Sequence, residues 1–159
     1  VRTLLESYYR TFHGQGKPGL DFLCDFPDEN YTVSVDPMRL QQVVTNFLSN
    51  ANKFTESGYI RLGYRYIAAE DKISIFVEDT GKGIPKNELE MIFSRFYKRD
   101  EFAQGAGLGL AICQGIVLRL HGQIKVESEV GKGSRFSVLL PAVAADGIQN
   151  DSVRQKPAS

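Results

Sequence analysis

The sequence has little of what several function classes require. Its 159 residues hold two cysteines, Cys24 and Cys113, too few for a disulfide framework. With His13 and His121 the only histidines, no zinc-ligand spacing appears. The expectation is two reduced thiols in a cytoplasmic domain. Charge of either sign is not in excess, since 19 Lys and Arg balance 19 Asp and Glu. Nothing global therefore draws the chain toward nucleic acid or an anionic membrane, and any phosphate binding must come from local geometry. No apolar run approaches the roughly 18 residues of a membrane span, and the first residues lack the basic-then-apolar layout of a signal peptide. That excludes a span only within these residues. Internal repeats are absent. What is present is ordinary for a globular protein: 42% apolar and 24% charged residues, enough for one domain with a core and too few for two comfortable ones.

Periodicity gives the element order. Leu4, Leu5, Tyr8, Tyr9 and Phe12 predict a helix over 1–13, ended by the Gly- and Pro-containing turn 14–19. Leu20, Phe22 and Cys24 alternate with their neighbours and predict a strand; 31–35 predicts another. Asp36-Pro37 is a helix start, a capping side chain followed by a proline suited to the first position. The helix it opens reaches about Phe54. Strands are predicted at 59–67 and 72–79, a short helix near 87–93, and a long helix over 108–121 that Gly122 would stop. A hairpin of 123–128 and 134–140 closes the fold. Residues 1–141 read as one domain and 142–159 as a tail or linker without periodicity. This order fits a two-layer α/β (α+β) sandwich, a mixed sheet covered on one face by about three helices. A doubly wound sheet would need strands and helices to alternate singly.

Four features suggest chemistry. On the helix 36–54, Leu40, Val43, Val44, Phe47, Leu48 and Ala51 share one arc, the expected core face. Arg39, Gln42, Asn46, Asn50 and Lys53 form a separate stripe. Asparagines one turn apart are unusual on an exposed helix, where better helix formers serve. Neutral amide oxygens beside an ammonium suit a divalent cation with polyphosphate, although a solvated face with incidental amides would look alike. In the strand 72–79, Asp79 continues the alternation of Ile73, Ile75 and Val77. A carboxylate there needs a donor: a purine amine, a helix N-cap or an ordered water would serve. Gly81 and Gly83 follow at once and allow backbone to approach a flat ligand. Downstream, 105–110 is a glycine-rich loop opening a helix, a natural phosphate cradle that also occurs as a plain turn. It matches neither the Walker A nor the dinucleotide-binding glycine pattern.

In order and spacing these pieces resemble the ATP-binding catalytic domain of bacterial sensor histidine kinases. Leu40 to Thr55 resembles their N box, Asp79-Thr80-Gly81-Lys82-Gly83-Ile84 their G1 box, and Phe93-Ser94-Arg95-Phe96-Tyr97 their F box. Gly105 to Leu110 resembles the G2 box, and Gly131-Lys132-Gly133-Ser134-Arg135-Phe136 the closing glycine motif. The resemblance covers about residues 1–141. It implies the Bergerat fold, shared with type II topoisomerases, mismatch-repair ATPases and heat-shock chaperones. It also implies ATP and Mg2+ as cofactors. By resemblance, Asn50 is the magnesium ligand with Asn46 beside it, Lys53 meets a phosphate, and these three form the catalytic set. Phe54 would pack on adenine, and Asp79 would accept from its amine, supported by Gly83 and Ser134; Gly81 and Ile84 belong to the same loop. Tyr97, Lys98 and Arg99 would lie near ribose or phosphates, at the start of a lid over 98–106. Gly105, Gly107, Leu108, Gly109 and Leu110 would cradle the phosphate chain. Two departures stand out: Ala106 where many relatives have threonine, and a short lid.

The implied reaction moves the ATP γ-phosphoryl group to a histidine on a separate dimerisation domain, with a response regulator receiver domain downstream. Neither His13 nor His121 has the neighbours of a phosphoacceptor. The alternatives are an ATP hydrolase of the topoisomerase or chaperone type, and a nucleotide-binding regulatory module without phosphotransfer. The hydrolases place a glutamate base where Asn46 stands, and an amide cannot take a proton from water. A degenerate module would have lost some of these residues, and none is missing. The remaining expectations are a monomeric fragment, in the cytoplasmic portion of an inner-membrane-anchored sensor, with no nucleic acid partner and no direct membrane contact. A dimerisation helix pair before Val1 and either a chain end or a receiver domain after the tail complete them.

Overall fold

The structure, a computed structural model, describes residues 1–13, 18–29, 31–89, 91–93 and 109–144. The elements are α1 (Arg2–His13), β1 (Leu20–Asp25), β2 (Tyr31–Val33), α2 (Pro37–Phe54), β3 (Gly58–Ile67) and β4 (Lys72–Asp79). They continue with α3 (Lys86–Leu89), α4 (Gly109–Arg119), β5 (Gln123–Glu129) and β6 (Gly133–Ala144). The order is the expected one, and so is the architecture. Parallel pairing joins β1 to β3, while β3, β4 and β6 are antiparallel neighbours, so the sheet is mixed. β6 also takes β5 along its first half and β2 along its last three residues. The helices pack on one side of this sheet.

Local chemistry sets α2. Asp36 is extended (φ −71°, ψ 115°) and its carboxylate accepts from the Met38 N–H at 3.0 Å, satisfying a donor the helix cannot. Pro37 occupies the first turn, where a missing N–H costs nothing. The six residues of the expected core arc are the six buried ones. They meet Ile73, Ile75 and Val77 of β4, each 1% exposed or less, and Phe47 lies 5.3 Å from the Phe136 ring. Each valine, leucine, isoleucine or phenylalanine among them contributes about 1.5–3 kcal/mol by leaving water.

The other sheet face carries charge around one aromatic ring. Phe76 is 1% exposed although no helix among the described residues packs on this face. The guanidinium of Arg135 lies 3.8 Å from its ring centroid and that of Arg65 lies 5.9 Å away. Its register partner is Gly63, where a Cβ would come within 2.5 Å of Phe76 Cζ. Glycine makes the space and arginine stems close it.

Several boundaries differ from the sequence reading: β2 ends at Val33 and α4 at Arg119, each two residues early, and three further differences lie at β6, α3 and the α4 ending. β6 does not stop at Leu140: Pro141, Ala142 and Val143 continue it to Ala144, because β2 pairs there. The first three residues of the expected tail are therefore strand, and 145–159 lies outside the described residues. The short helix expected over 87–93 is the four residues of α3, with a turn at 91–93. At the end of α4 it is His121, not Gly122, that takes the left-handed conformation (φ 62°). Gly122 N–H donates to the Val117 carbonyl at 2.9 Å and His121 N–H to that of Leu118 at 3.1 Å, a Schellman ending. Gly122 is small for another reason: a Cβ would lie 2.5 Å from the Leu139 carbonyl oxygen. Cys24 and Cys113 are both free thiols. Cys113 is 1% exposed, and burial pushes its thiol up to about 12.

Candidate functional site

The inner face of the sheet changes character at one end. Register aligns Leu62, Val77, Phe136 and Val126 across four strands, all apolar. The next row outward is Ile60, Asp79, Ser134 and Ser128. Asp79 and Ser134 are each 8% exposed, so this is a polar strip set into a dry surface. Asp79 Oδ1 accepts from the Gly81 N–H at 2.9 Å, which turns the chain back immediately after β4.

Glycines let two loops lock together there. Gly83 has φ 73°, and a Cβ on it would lie 2.1 Å from the Glu129 carbonyl oxygen. Gly133 has φ 117°, and a Cβ would lie 1.9 Å from the Asp79 carbonyl oxygen. Across the join, Gly131 N–H donates to Lys82 O at 2.9 Å and Ile84 N–H to Ser128 Oγ at 2.7 Å. The loop after Asp79 is thus fixed by the turn between β5 and β6.

From the helix layer, α2 presents Asn46 and Asn50, both half-buried, with Asn50 Nδ2 donating to Asn46 Oδ1 at 3.3 Å. That bond uses an amide hydrogen and leaves the Asn50 carbonyl oxygen as an acceptor or ligand. The first residue of α4, Gly109, sits against Asn46: a Cβ would lie 2.5 Å from Nδ2. This close approach brings the α4 N-terminus, with its outward N–H groups, to the asparagine pair. Lys53 is exposed in the last turn of α2. Lys82 Nζ stands 5.0 Å from the Phe54 ring centroid, so that ring carries an ammonium on one face. Leu110 is half-buried in the first turn of α4.

Asn46, Asn50, Lys53, Phe54, Asp79, Gly81, Gly83, Ile84, Gly109, Leu110 and Ser134 all fall on α2, the β4 rim, the start of α4 or the β6 rim. Tyr97, Lys98, Arg99, Gly105, Gly107 and Leu108 lie outside the described residues. Sequence reasoning missed Ser128, although the signal existed. Ser128 ends the row Ile124, Val126 just as Asp79 ends Ile73, Ile75, Val77. Among the described residues no three His, Cys, Asp or Glu side chains converge as a metal cage.

Comparison with known proteins decides the family. The histidine kinase-, DNA gyrase B- and HSP90-like ATPase family matches residues 35–144. The nucleotide-free catalytic domain of histidine kinase ThkA superposes with a TM-score of 0.77 at 30% identity, covering 89% of this chain and 91% of its own. The chain belongs to the ATP-binding catalytic domains of histidine kinases. Within this family, the crystal structure of full-length ShkA in complex with AMPPNP superposes with a TM-score of 0.81 at 30% identity. That match takes in 90% of the catalytic domain here and 30% of ShkA. Sensor histidine kinase RcsC of Escherichia coli K12 is 45% identical over 131 residues, 80% of this chain and 14% of RcsC. The catalytic domain thus spans about a seventh of that relative. No helix among its described residues is long and apolar enough to cross a membrane.

Proposed function

We propose that this catalytic domain binds ATP with its adenine at Asp79 and transfers the γ-phosphoryl group to a histidine of a dimerisation domain in the same protein. The observation that carries the reading is the buried carboxylate of Asp79. It stands in the polar rim of an apolar sheet face, beside a glycine loop pinned from behind, while α2 supplies the Asn46–Asn50 pair. A carboxylate accepts only, so it pairs with the adenine amine. Phosphate groups would meet the α4 N-terminus at Gly109 and Leu110 and the Lys53 ammonium, and the segment carrying Tyr97, Lys98, Arg99, Gly105, Gly107 and Leu108 would cover them.

The donor set fits Mg2+ in one way. An Asn50 amide oxygen is a hard, neutral ligand suited to a cation that arrives already bound to polyphosphate. Such an ion, held by Asn50, would supply positive charge to the phosphate chain. The protein's own work is positioning: α2 holds the amides, the glycine loop excludes water from the base, and backbone N–H groups orient the phosphate chain. In the transfer, the bond from the γ-phosphorus to its bridging oxygen breaks, a nitrogen–phosphorus bond forms, and ADP leaves. Asn46 has no basic oxygen to activate water, which favours transfer over hydrolysis. A receiver domain of a response regulator would take the phosphoryl group next. We place the domain in the cytoplasmic portion of a larger, membrane-anchored sensor.

The test is calorimetric titration of a non-hydrolysable ATP analogue with magnesium on the wild type and on Asp79→Asn, followed by transfer to a supplied dimerisation domain. The asparagine amide should weaken binding at least roughly hundredfold. Equal affinity in both proteins would put the base elsewhere.

A further inference from the structure

We infer that Ser128, outside the residues assigned above, positions the base-binding rim and makes it accept hydrogen bonds only, so that the site selects 6-amino purines over 6-oxo purines. The inference rests on the reading that a purine sits at Asp79.

Three contacts fix the Ser128 hydroxyl. Its oxygen receives the Ile84 N–H at 2.7 Å, its proton goes to the Gly133 carbonyl at 2.9 Å, and Ser134 Oγ lies 2.8 Å away. A hydroxyl has one proton and two lone pairs, and a carbonyl oxygen has no proton to give. With the Ser128 proton on Gly133, the contact to Ser134 must be donated by Ser134. The Ser128 hydroxyl is then saturated, with one bond donated and two accepted. The Ser134 hydroxyl has spent its only proton on the protein, and only lone pairs remain for anything else.

Ser134 is the register partner of Asp79 on the same sheet face, and both are 8% exposed. Asp79 accepts by nature, and Ser134 accepts because Ser128 holds its proton. Two adjacent acceptors match an exocyclic amine, directly or through one water, and oppose the carbonyl oxygen that a 6-oxo purine carries in its place. Leaving buried acceptors facing each other is what makes such sites reject the wrong group. Ser128 also holds the loop after Asp79 through the Ile84 N–H, so it is a positioning residue and touches no ligand itself.

The experiment compares affinity for ADP and for IDP, which differ only at this part of the base, on the wild type, Ser128→Ala, Ser128→Thr and Ser134→Ala. Competition against a fluorescent ADP analogue gives both constants, and thermal melting checks that each variant folds. The wild type should prefer ADP. In Ser128→Ala the Ser134 proton is released toward the pocket, and the ADP/IDP ratio should narrow roughly tenfold, even though both affinities also fall as the loop loosens. Ser128→Thr keeps the hydroxyl and should keep the ratio. Ser134→Ala removes the acceptor and should narrow the ratio as well, which covers the case in which Ser128→Ala does not fold. A ratio unchanged in the alanine variants, with ADP still bound and still dependent on Asp79, would overturn the role of Ser128 alone. Wild-type ADP binding that ignores Asp79→Asn, or no ADP binding at all, would overturn the base assignment and this inference with it.

Discussion

Glu78 and Asp79 are adjacent acids with opposite surroundings, because alternation sends one to each face of the sheet. Glu78 is met by Arg61 at 3.2 Å, Arg135 at 3.3 Å and the Tyr59 hydroxyl at 3.2 Å, with 23% of its side chain exposed. Asp79 is 8% exposed, accepts a backbone N–H, and stands in a row with Ser134 and Ser128. The outer acid is neutralised by cations of the protein and has a structural task. The inner acid sits where a donor from outside can reach it. Solvation accounts for the division: a partly exposed carboxylate is served by arginine and water, whereas a buried one depends on directed donors.

The widest test of this contrast is Gly133→Ala. The new Cβ would collide with the Asp79 carbonyl in a left-handed backbone, and the expected loss is on the order of 3 kcal/mol or more. Chemical denaturation should show it, and nucleotide affinity should fall with it because the inner rim depends on that contact. Phe76→Ala separates the faces. Removing a ring that is 1% exposed between two guanidinium groups should cost about 3 kcal/mol. Nucleotide affinity of the folded protein should stay within about twofold, since an outer-face cavity is screened by the sheet. A large loss of affinity would mean that the faces are coupled. The smallest effect is expected of Glu78→Gln: under about 1 kcal/mol in urea unfolding and no measurable change in nucleotide binding. If Glu78→Gln matched Asp79→Asn in its effect on binding, the contrast between the two acids would fail.

Local pattern carried most of the fold. The α2 core arc, the β4 alternation and the Asp36-Pro37 start are properties of neighbouring residues, and each is present as read. The glycines of the two loops were legible as permissive positions. That Gly83 and Gly133 each face another backbone was not, since the partners are some 50 residues away in sequence. The continuation of β6 past Pro141 depends on β2, a strand of three residues more than a hundred positions earlier, and no local signal announces it. His121 rather than Gly122 at the left-handed position reflects a close approach to Leu139, again a tertiary demand. The Lys82 ammonium over Phe54 joins a loop to a helix end and has no periodic signature. Ser128 was within reach, because the alternation that marked Asp79 also runs through β5.

The place of β6 bears on how the protein is made. It is the last described element to be synthesised, yet it lies inside the sheet, pairing with β4, β5 and β2. Until Gly133–Ala144 leaves the ribosome, β4 offers a bare edge whose inner side chains are Ile73, Ile75 and Val77. Such an edge pairs readily with other nascent chains. Closure of the sheet therefore waits for the last strand of the domain, and a chain stalled before residue 133 is left with its most apolar strand half paired.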